Sequence, residues 1–474
     1  MGLVSIVINY VLNTGWVSLL GNLIKSLNNI IWGIPMIVLL FGVHILMTLK
    51  TNIIQRHTFK AIKLSVTKDS AAGGDISPFQ ALTTALASTI GTGNIIGLGT
   101  AVALGGAGAV FWCWFTGVLG IATKYAESLL AVKYRVKTED GRTLGGAMYI
   151  LENRLKLRFL AKMFAVCTMI SAVAVGCGVQ INAISETTAN AIPNGKEYTV
   201  EILGISLPAV PLFVGVSTAI IVCAVIFGGV GSVSKVCETL VPFMAGLYIL
   251  GNIVVLIYNI DVLPETVTLI VKSAFTRTSA IGGLTGYSVG AAVRFGISRG
   301  LFSNEAGTGT SPIIAAAAKC ENPVKQALIS ATGTFWDTVV LCLVTGLVIV
   351  SSILKNDNID VRNISGGELT YTVFSQIPYI GKPILIFGLI TFAFSTILGW
   401  SYYGECCAEY LFGIKSITVF RVFYVGMLLI APLISLDVMW DMADILNALM
   451  AIPNLTALLL LQNEVREETL LSDI

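Results

Sequence analysis

From Ile30 onward the chain alternates long apolar runs with short polar stretches, and most runs approach the roughly 20 residues that a helix needs to cross a bilayer. The first clear span is Ile30 to Leu49. Others are read at Ala109 to Val132, about Phe164 to Ala183, 209–229 and 238–258, and in the second half at 326–353, 383–412, 418–435 and 437–461. Two runs behave differently. Pro78 to Gly105 is interrupted by Ser88-Thr89-Ile90-Gly91-Thr92-Gly93-Asn94, and Gly286 to Ala318 by Ser303-Asn304-Glu305-Ala306-Gly307-Thr308-Gly309-Thr310. Residues 3–23 and Val262 to Phe275 pattern as amphipathic surface helices, and the acidic end from Gln462 as a short disordered tail.

A membrane helix satisfies its own backbone because lipid offers no hydrogen-bond partner. Glycine-rich breaks at membrane depth therefore survive only where they line an enclosed cavity. Freed carbonyls there can hold a cation, and half-helix N-termini a carboxylate. Matching breaks in two halves of a chain point to the binding site of a secondary transporter. One helix plus five plus five gives about eleven spans, and an odd number in each half turns the halves over relative to each other. The expected architecture is an all-α polytopic membrane protein with a 5+5 inverted repeat. It divides as 1–77 (N-terminal helices and a basic loop), 78–260 (first repeat), 261–461 (second repeat) and 462–474 (tail), all within one membrane domain.

Charge adds orientation. Loops 50–68 and 133–162 hold thirteen of the 29 Lys and Arg, against four (Lys196, Lys355, Arg362, Lys382) in loops 184–208 and 354–382. By the positive-inside rule the first two are cytoplasmic, so the N-terminus lies outside and the C-terminus inside the plasma (inner) membrane. Apolar residues make up 55% of the chain and charged residues 12%, with a net charge of +2, so nothing suggests a nucleic-acid partner. The nine cysteines read as small apolar filler, and two histidines (His44, His57) make no metal site. No paired catalytic acids, nucleophile elbow or metal cluster indicates an enzyme. A channel would need a continuous polar pore instead of two midplane clusters. The stretch 1–23 lacks the basic start and cleavage site of a signal peptide.

Several motifs carry a family likeness. Gln80-Ala81-Leu82-Thr83-Thr84-Ala85-Leu86-Ala87 leading into Gly91-Thr92-Gly93-Asn94-Ile95, then Arg299-Gly300-Leu301-Phe302-Ser303-Asn304-Glu305-Ala306-Gly307, resemble the alanine or glycine:cation symporter family. So do Trp400-Ser401-Tyr402-Tyr403-Gly404-Glu405 and Met450-Ala451-Ile452-Pro453-Asn454-Leu455. The resemblance implies sodium-coupled uptake of small neutral amino acids on a leucine-transporter-like fold, with Na+ as coupling ion, no organic cofactor and no obligatory protein partner beyond the bilayer. A proton-coupled carrier on the same fold is the alternative.

At the first break, Thr89, Gly91, Thr92 and Gly93 offer hydroxyls and close backbone access to a hard cation, and Asn94 an amide for either end of a zwitterion. Gln80 lies upstream, roughly 20 Å away along an unbroken helix, and reaches the site only if the helix is unwound. Gln180 and Asn182 are intramembrane amides that require partners or substrate. In leucine-transporter-like folds a hydroxyl pair on the third helix of the second repeat shares sodium with the first broken helix, which points here to Ser395 and Thr396. Trp400, about one turn on, would wall the pocket. At the second break Asn304, Gly307 and Thr308 complete the expected substrate lining. Glu305 could bind the coupling ion, take a proton or hold the break open by accepting backbone N–H bonds, the last being favoured. Arg294 and Arg299 are near enough in sequence to pair with it as an inner gate. Glu305 or Asp337 would be the proton site of the proton-coupled alternative. Asp337 is read as a packing or proton-sensing acid, Lys124 and Glu127 as an i,i+3 pair, and Glu405 and Glu409 as solvated.

Overall fold

The computed structural model describes residues 31–67, 74–202, 205–276, 288–356, 366–434 and 436–472, with Ser26, Asn28, Ile359, Val361 and Ile364. The helix expected over 3–23 lies outside the described residues.

α1, Ile34–Lys50, bends by 65° into a short helix, α2, Thr58–Ser65. The first interrupted run forms α3, Pro78–Thr89, one 3-10 turn at Thr92–Asn94, and α4, Ile96–Gly105, with a 59° bend. Next come α5, Gly108–Lys133, a hairpin of β1, Val136–Lys137, with β2, Thr143–Leu144, and the long α6, Arg158–Ala191. A second antiparallel hairpin, β3 Thr199–Ile202 with β4 Ile205–Pro208, leads to α7, Ala209–Ile226, and α8, Gly229–Tyr258. The second half opens with α9, Leu263–Phe275, and the second broken helix, α10 Val289–Asn304 and α11 Ser311–Ala316. It continues with α12, Pro323–Lys355, α13, Gly366–Ser375, and α14, Gly381–Phe412. α15, Ser416–Ile430, α16, Leu436–Leu460, and α17, Gln462–Leu471, close the chain.

Seven helices among the described residues are long and apolar enough to cross a membrane, and nine spans result if each bent pair counts as one. The other two expected spans are helical but differ in kind: α5 carries Lys124 and Glu127, and α10–α11 is cut at Glu305. The limits also shift. α6 runs past Ala183 to Ala191, and α8 starts at Gly229 instead of 238. The expected disordered tail is the helix α17, held by ion pairs from Glu464 and Glu468 to Lys133 at 2.5 and 2.7 Å.

Local chemistry explains where the broken helices start and stop. Pro78 at the first turn and a reciprocal cap between Ser77 and Gln80 begin α3. Glu305, left-handed at φ 54°, ends α10. Around them, α5 packs on α10, α11 and α12, while α14 packs on α6 and α8. α3 lies between these two groups and touches both. Two π-helical segments, Ala172–Val179 in α6 and Phe335–Cys342 in α12, widen the turns that face the breaks.

Candidate functional site

The helical ladder of α3 ends at Ile90, whose N–H still donates to Leu86 O at 2.8 Å while its own backbone turns extended. Gly91 N–H donates instead to Asn94 Oδ1 at 2.9 Å. The carbonyls of Ala87 and Ile90 are met from another helix. Ser395 Oγ lies 3.3 Å from Ala87 O, and Thr396 Oγ1 lies 3.1 Å from Ile90 O. Both hydroxyls also reach Phe392 O on their own helix, at 2.9 Å. Four oxygens, two hydroxyl and two carbonyl, thus converge where α3 unwinds against α14. Their hardness and geometry suit an alkali cation. A Cβ on Gly91 would sit 2.6 Å from Thr396 Oγ1, so this approach requires glycine.

Gln180, at the end of the π segment in α6, accepts Thr92 N–H at 3.2 Å and donates to Val175 O at 3.2 Å. The amide therefore pins the unwound strand to α6. Asn94 is engaged at both ends of its amide, since beside Oδ1 its Nδ2 donates to Ser303 Oγ at 2.9 Å and to Asp337 Oδ1 at 2.8 Å. Asp337, on the π segment of α12, also accepts Ser303 Oγ at 2.7 Å and Thr338 Oγ1 at 2.6 Å. It joins the two breaks to each other. Gly93 fits closely as well, since a Cβ there would stand 2.9 Å from Phe302 Cδ1.

The second break is held from three sides. Gly307 N–H donates to Glu127 Oε1 at 2.9 Å, and Gly307 O accepts Asn454 Nδ2 at 2.9 Å. Gly307 itself is at φ +101°, which a side chain resists. Glu305 accepts hydroxyls, from Thr310 at 2.5 Å and Ser311 at 3.3 Å, and not the backbone N–H groups expected. Thr308 Oγ1 donates to Glu305 O at 2.8 Å. Asn304 turns back on the break, its Oδ1 accepting Ala306 N–H at 2.8 Å. Lys124 and Glu127 are not joined by an ion pair among the described contacts. Lys124 Nζ donates to Ser311 Oγ at 2.9 Å instead.

Other expected residues fall elsewhere. Gln80 stays in the helix cap and donates to Glu238 Oε2 at 2.9 Å, remote from the break, because α3 is not unwound at its start. Thr89 Oγ1 bonds Ala85 O and Leu86 O in its own helix, at 3.2 and 3.3 Å. Arg299 does not meet Glu305, since α10 points it the other way: it makes a bidentate pair with Asp444 at 3.1 and 2.6 Å. Trp400 is buried on the π segment of α6, where a Cβ on Gly176 would lie 2.2 Å from Trp400 Cβ. Asn182 donates to Ala431 O at 3.2 Å and Ile434 O at 2.5 Å, as helix glue. Glu405 and Glu409 are buried, not solvated, because Arg421 and Arg142 pair with them at 2.7 and 2.6 Å. Sequence reasoning missed the carbonyls of Ala87 and Ile90, which no residue type announces. Asp444 it passed over, and Asn454 it noted only as part of a family motif with no role, although both are amide or acid groups inside an apolar run.

The family model described as the sodium:alanine symporter family matches residues 17–470. The sodium/alanine symporter AgcS of Methanococcus maripaludis is 44% identical over 455 residues, covering 94% of this chain and 96% of that protein. An uncharacterized transporter of Haemophilus influenzae is 42% identical over 452 residues, covering 94% and 95%. The probable sodium/glutamine symporter GlnT of Bacillus subtilis is 35% identical over 452 residues, covering 94% and 89%. Among solved structures, MhsT in complex with L-phenylalanine superposes with a TM-score of 0.60 at 14% identity, covering 86% of this chain and 94% of that one. That likeness is one of fold and supports the leucine-transporter-like inverted repeat.

Proposed function

Because this chain belongs to the sodium:alanine symporter family, we propose that it carries small neutral amino acids, alanine and glycine foremost, together with Na+ across the inner membrane by alternating access. It is a multi-pass secondary transporter and not an enzyme. The observation that carries the proposal is the four-oxygen meeting of Ser395, Thr396, Ala87 O and Ile90 O at the unwound end of α3. A hydroxyl has one proton and two lone pairs. With the protons of Ser395 and Thr396 turned to Phe392 O, their lone pairs face the two carbonyls, and a sodium ion draws all four oxygens together. The ion then ties α3 to α14 and fixes the backbone of the first break.

A substrate carboxylate suits the N-terminal end of α4, where the helix dipole is positive. Gly91 and Gly93 pack so closely on Thr396, Gln180 and Phe302 that a side chain at either position would intrude on the first break, and the preference for alanine and glycine follows the family. Each ligand orders the same strand, so each raises the affinity of the other by a coupling of about 1–3 kcal/mol. The repeats are assigned as 78–260 and 261–461, with α2 and the β1–β2 hairpin on the cytoplasmic side and the N-terminus outside, following the distribution of Lys and Arg.

Uptake of labelled alanine and glycine into proteoliposomes, with sodium, lithium or potassium outside, tests this reading. Sodium-driven uptake is expected in the parent, and Ser395→Ala/Thr396→Ala together should lose most of its sodium dependence. Uptake driven by a pH gradient without sodium would replace sodium by a proton.

A further inference from the structure

α8 turns much of its surface outward. Phe243, Leu247, Leu250 and Val254 are exposed, and in a chain with this many apolar spans such a face meets lipid. Beside it the helix thins. Ala245 and Gly246 follow the helix-interior Pro242, and a Cβ at Gly246 would meet nothing within 4 Å. The space they leave is a cleft of about 330 Å³ between α8, α3, the end of α2 and the π segment of α12. Leu82, Leu86 and Ile90 of α3 wall it on one side, Val241 and Ile249 of α8 on the other, and Trp336 of α12 at the back. Its two hydroxyls are already spent on their own helices: Ser65 Oγ donates to Ile62 O at 2.8 Å and Thr83 Oγ1 to Gln80 O at 3.2 Å. An occupant of this cleft therefore meets hydrocarbon on every wall.

Toward the side read as cytoplasmic the walls change character. A second cleft of about 470 Å³ shares Ser65, Val66 and Phe79 with the first and adds Thr67, Ser77, Gln80 and Glu238. Gln80 Nε2 donates to Glu238 Oε2 at 2.9 Å across this mouth. Cations stand close along the chain. The exposed Lys63 lies two residues before Ser65, and the exposed Lys235 three before Glu238. Phe59 and Val66 are exposed next to Lys60 and Lys63, the mixture of apolar and basic residues that places a helix at the headgroup boundary. From Ile90 out to Lys63 the polarity thus follows that of one bilayer leaflet, hydrocarbon within and headgroup at the rim.

We propose that this cleft binds a membrane phospholipid, with one acyl chain between α3 and α8 and the phosphate at the polar mouth, on the side of Lys63 and Lys235. Water is a poor occupant, since it needs two to four polar partners and the inner walls offer none. An empty cleft would forfeit the dispersion contacts of its lining. Its volume falls in the range of about 300–1,000 Å³ that holds small ligands, and the substance beside its open edge is lipid. The phosphate answers the lysines, which a neutral headgroup would not. This site is separate from the one at the breaks and stands without the transport reading, yet it touches that machinery. Ile90, at the inner end of the cleft, supplies the carbonyl that faces Thr396, and Trp336 precedes Asp337. An acyl chain here packs against the unwound end of α3 from the lipid side.

Photocrosslinking of the full chain in detergent tests it. The probe is phosphatidylglycerol carrying a diazirine on one acyl chain, and adducts are mapped by mass spectrometry of peptides. Adducts should fall on the peptides that contain Leu82–Ile90 and Val241–Ile249, and an excess of unlabelled phosphatidylglycerol should remove them. Gly246→Phe, whose ring would occupy the cleft, should lose this labelling. Gly426→Phe on α15, where a Cβ likewise meets nothing within 4 Å, should keep it. Adducts spread over the whole lipid-facing surface, or labelling of the cleft peptides unchanged by Gly246→Phe, would mean surrounding lipid only and overturn the site. The exposed pair Lys63→Gln/Lys235→Gln leaves the core untouched and tests the headgroup. It should weaken labelling by the phospholipid probe and spare labelling by a diacylglycerol probe that lacks the phosphate. Phospholipid labelling indifferent to the double variant overturns the phosphate assignment. Sodium-dependent alanine uptake, measured on the same preparation in proteoliposomes, is a separate readout: its absence would defeat the transport reading and leave the adducts standing.

Discussion

Asp337 shows what a buried acid does at the scale of one residue. Its carboxylate is the shared acceptor for Asn94, Ser303 and Thr338, so it holds groups from three elements with one side chain. Removing it strands buried donors, each at about 1–3 kcal/mol. Asp337→Ala should therefore lower the melting temperature in detergent and abolish uptake, while Asp337→Asn, which keeps one oxygen, should be milder on both counts. An Asn variant as damaged as Ala would mean that the charge itself is needed. Gly307 is constrained differently. At φ +101°, with a Cβ only 2.8 Å from Leu40 Cδ1, Gly307→Ala should lose uptake although the substitution adds one carbon; normal uptake would show that the second break can relax. The sequence pointed to both positions, since an acid and a glycine inside apolar runs are conspicuous. It did not disclose that Asn94 is engaged by Asp337, because their partnership spans 243 positions of chain.

At the scale of elements, the breaks were legible because glycine and polar residues interrupt a pattern that lipid otherwise enforces. The long helices were legible for the same reason. α17 was not, because Gln462–Leu471 is mostly polar, with Glu464, Arg466, Glu467 and Glu468, and its stability comes from partners on other elements. Glu464 pairs with Lys133 at 2.5 Å and Arg154 at 3.4 Å and accepts from Tyr134, while Lys50 Nζ donates to Asn463 at 2.8 Å. The burial of Glu405 and Glu409 was hidden in the same way by remote arginines. Partial desolvation opposes ionisation of Glu464, yet Lys133, Tyr134 and Arg154 hold its carboxyl below the usual carboxylate range. The folded protein thus binds this proton less readily than the unfolded chain, and its contribution is complete above the ordinary value and lost as pH falls through the lowered one. A spin label at the exposed Leu470 should keep its restricted mobility from about pH 7 to about pH 5. Glu464→Gln or high salt should loosen it at neutral pH. Mobility that rises already near pH 6 would assign docking to some other group.

At the scale of the whole molecule, the parallel backbone bridge between Ile76 and Ala318 and the pair Arg299–Asp444 lie on opposite sides of the breaks. Arg299 is stacked over Trp440, with its guanidinium carbon 5.1 Å from the ring centre, and over Phe302 at 5.9 Å. Asp444 is tied in turn to the chain's N-terminal side, its backbone oxygen accepting Trp32 Nε1 at 3.1 Å and Oδ2 accepting Asn28 Nδ2 at 3.5 Å. The pair thus ties α10 to α16 on the side read as external. A buried pair that loses one partner leaves an uncompensated charge, at about 3–5 kcal/mol, so the state containing the pair is the one destabilised. If the pair belongs to the externally closed state, Asp444→Asn shifts the population toward the externally open one. Cys342 is a native reporter, with Sγ 3.4 Å from Asn94 Nδ2 at the first break. In a chain keeping only that cysteine, Asp444→Asn should speed its labelling by a membrane-impermeant thiol reagent added outside. Arg299→Gln/Asp444→Asn should label more slowly than Asp444→Asn, because no charge is left alone. An unchanged labelling rate with a lowered melting temperature would show that the pair persists in both states and serves stability only.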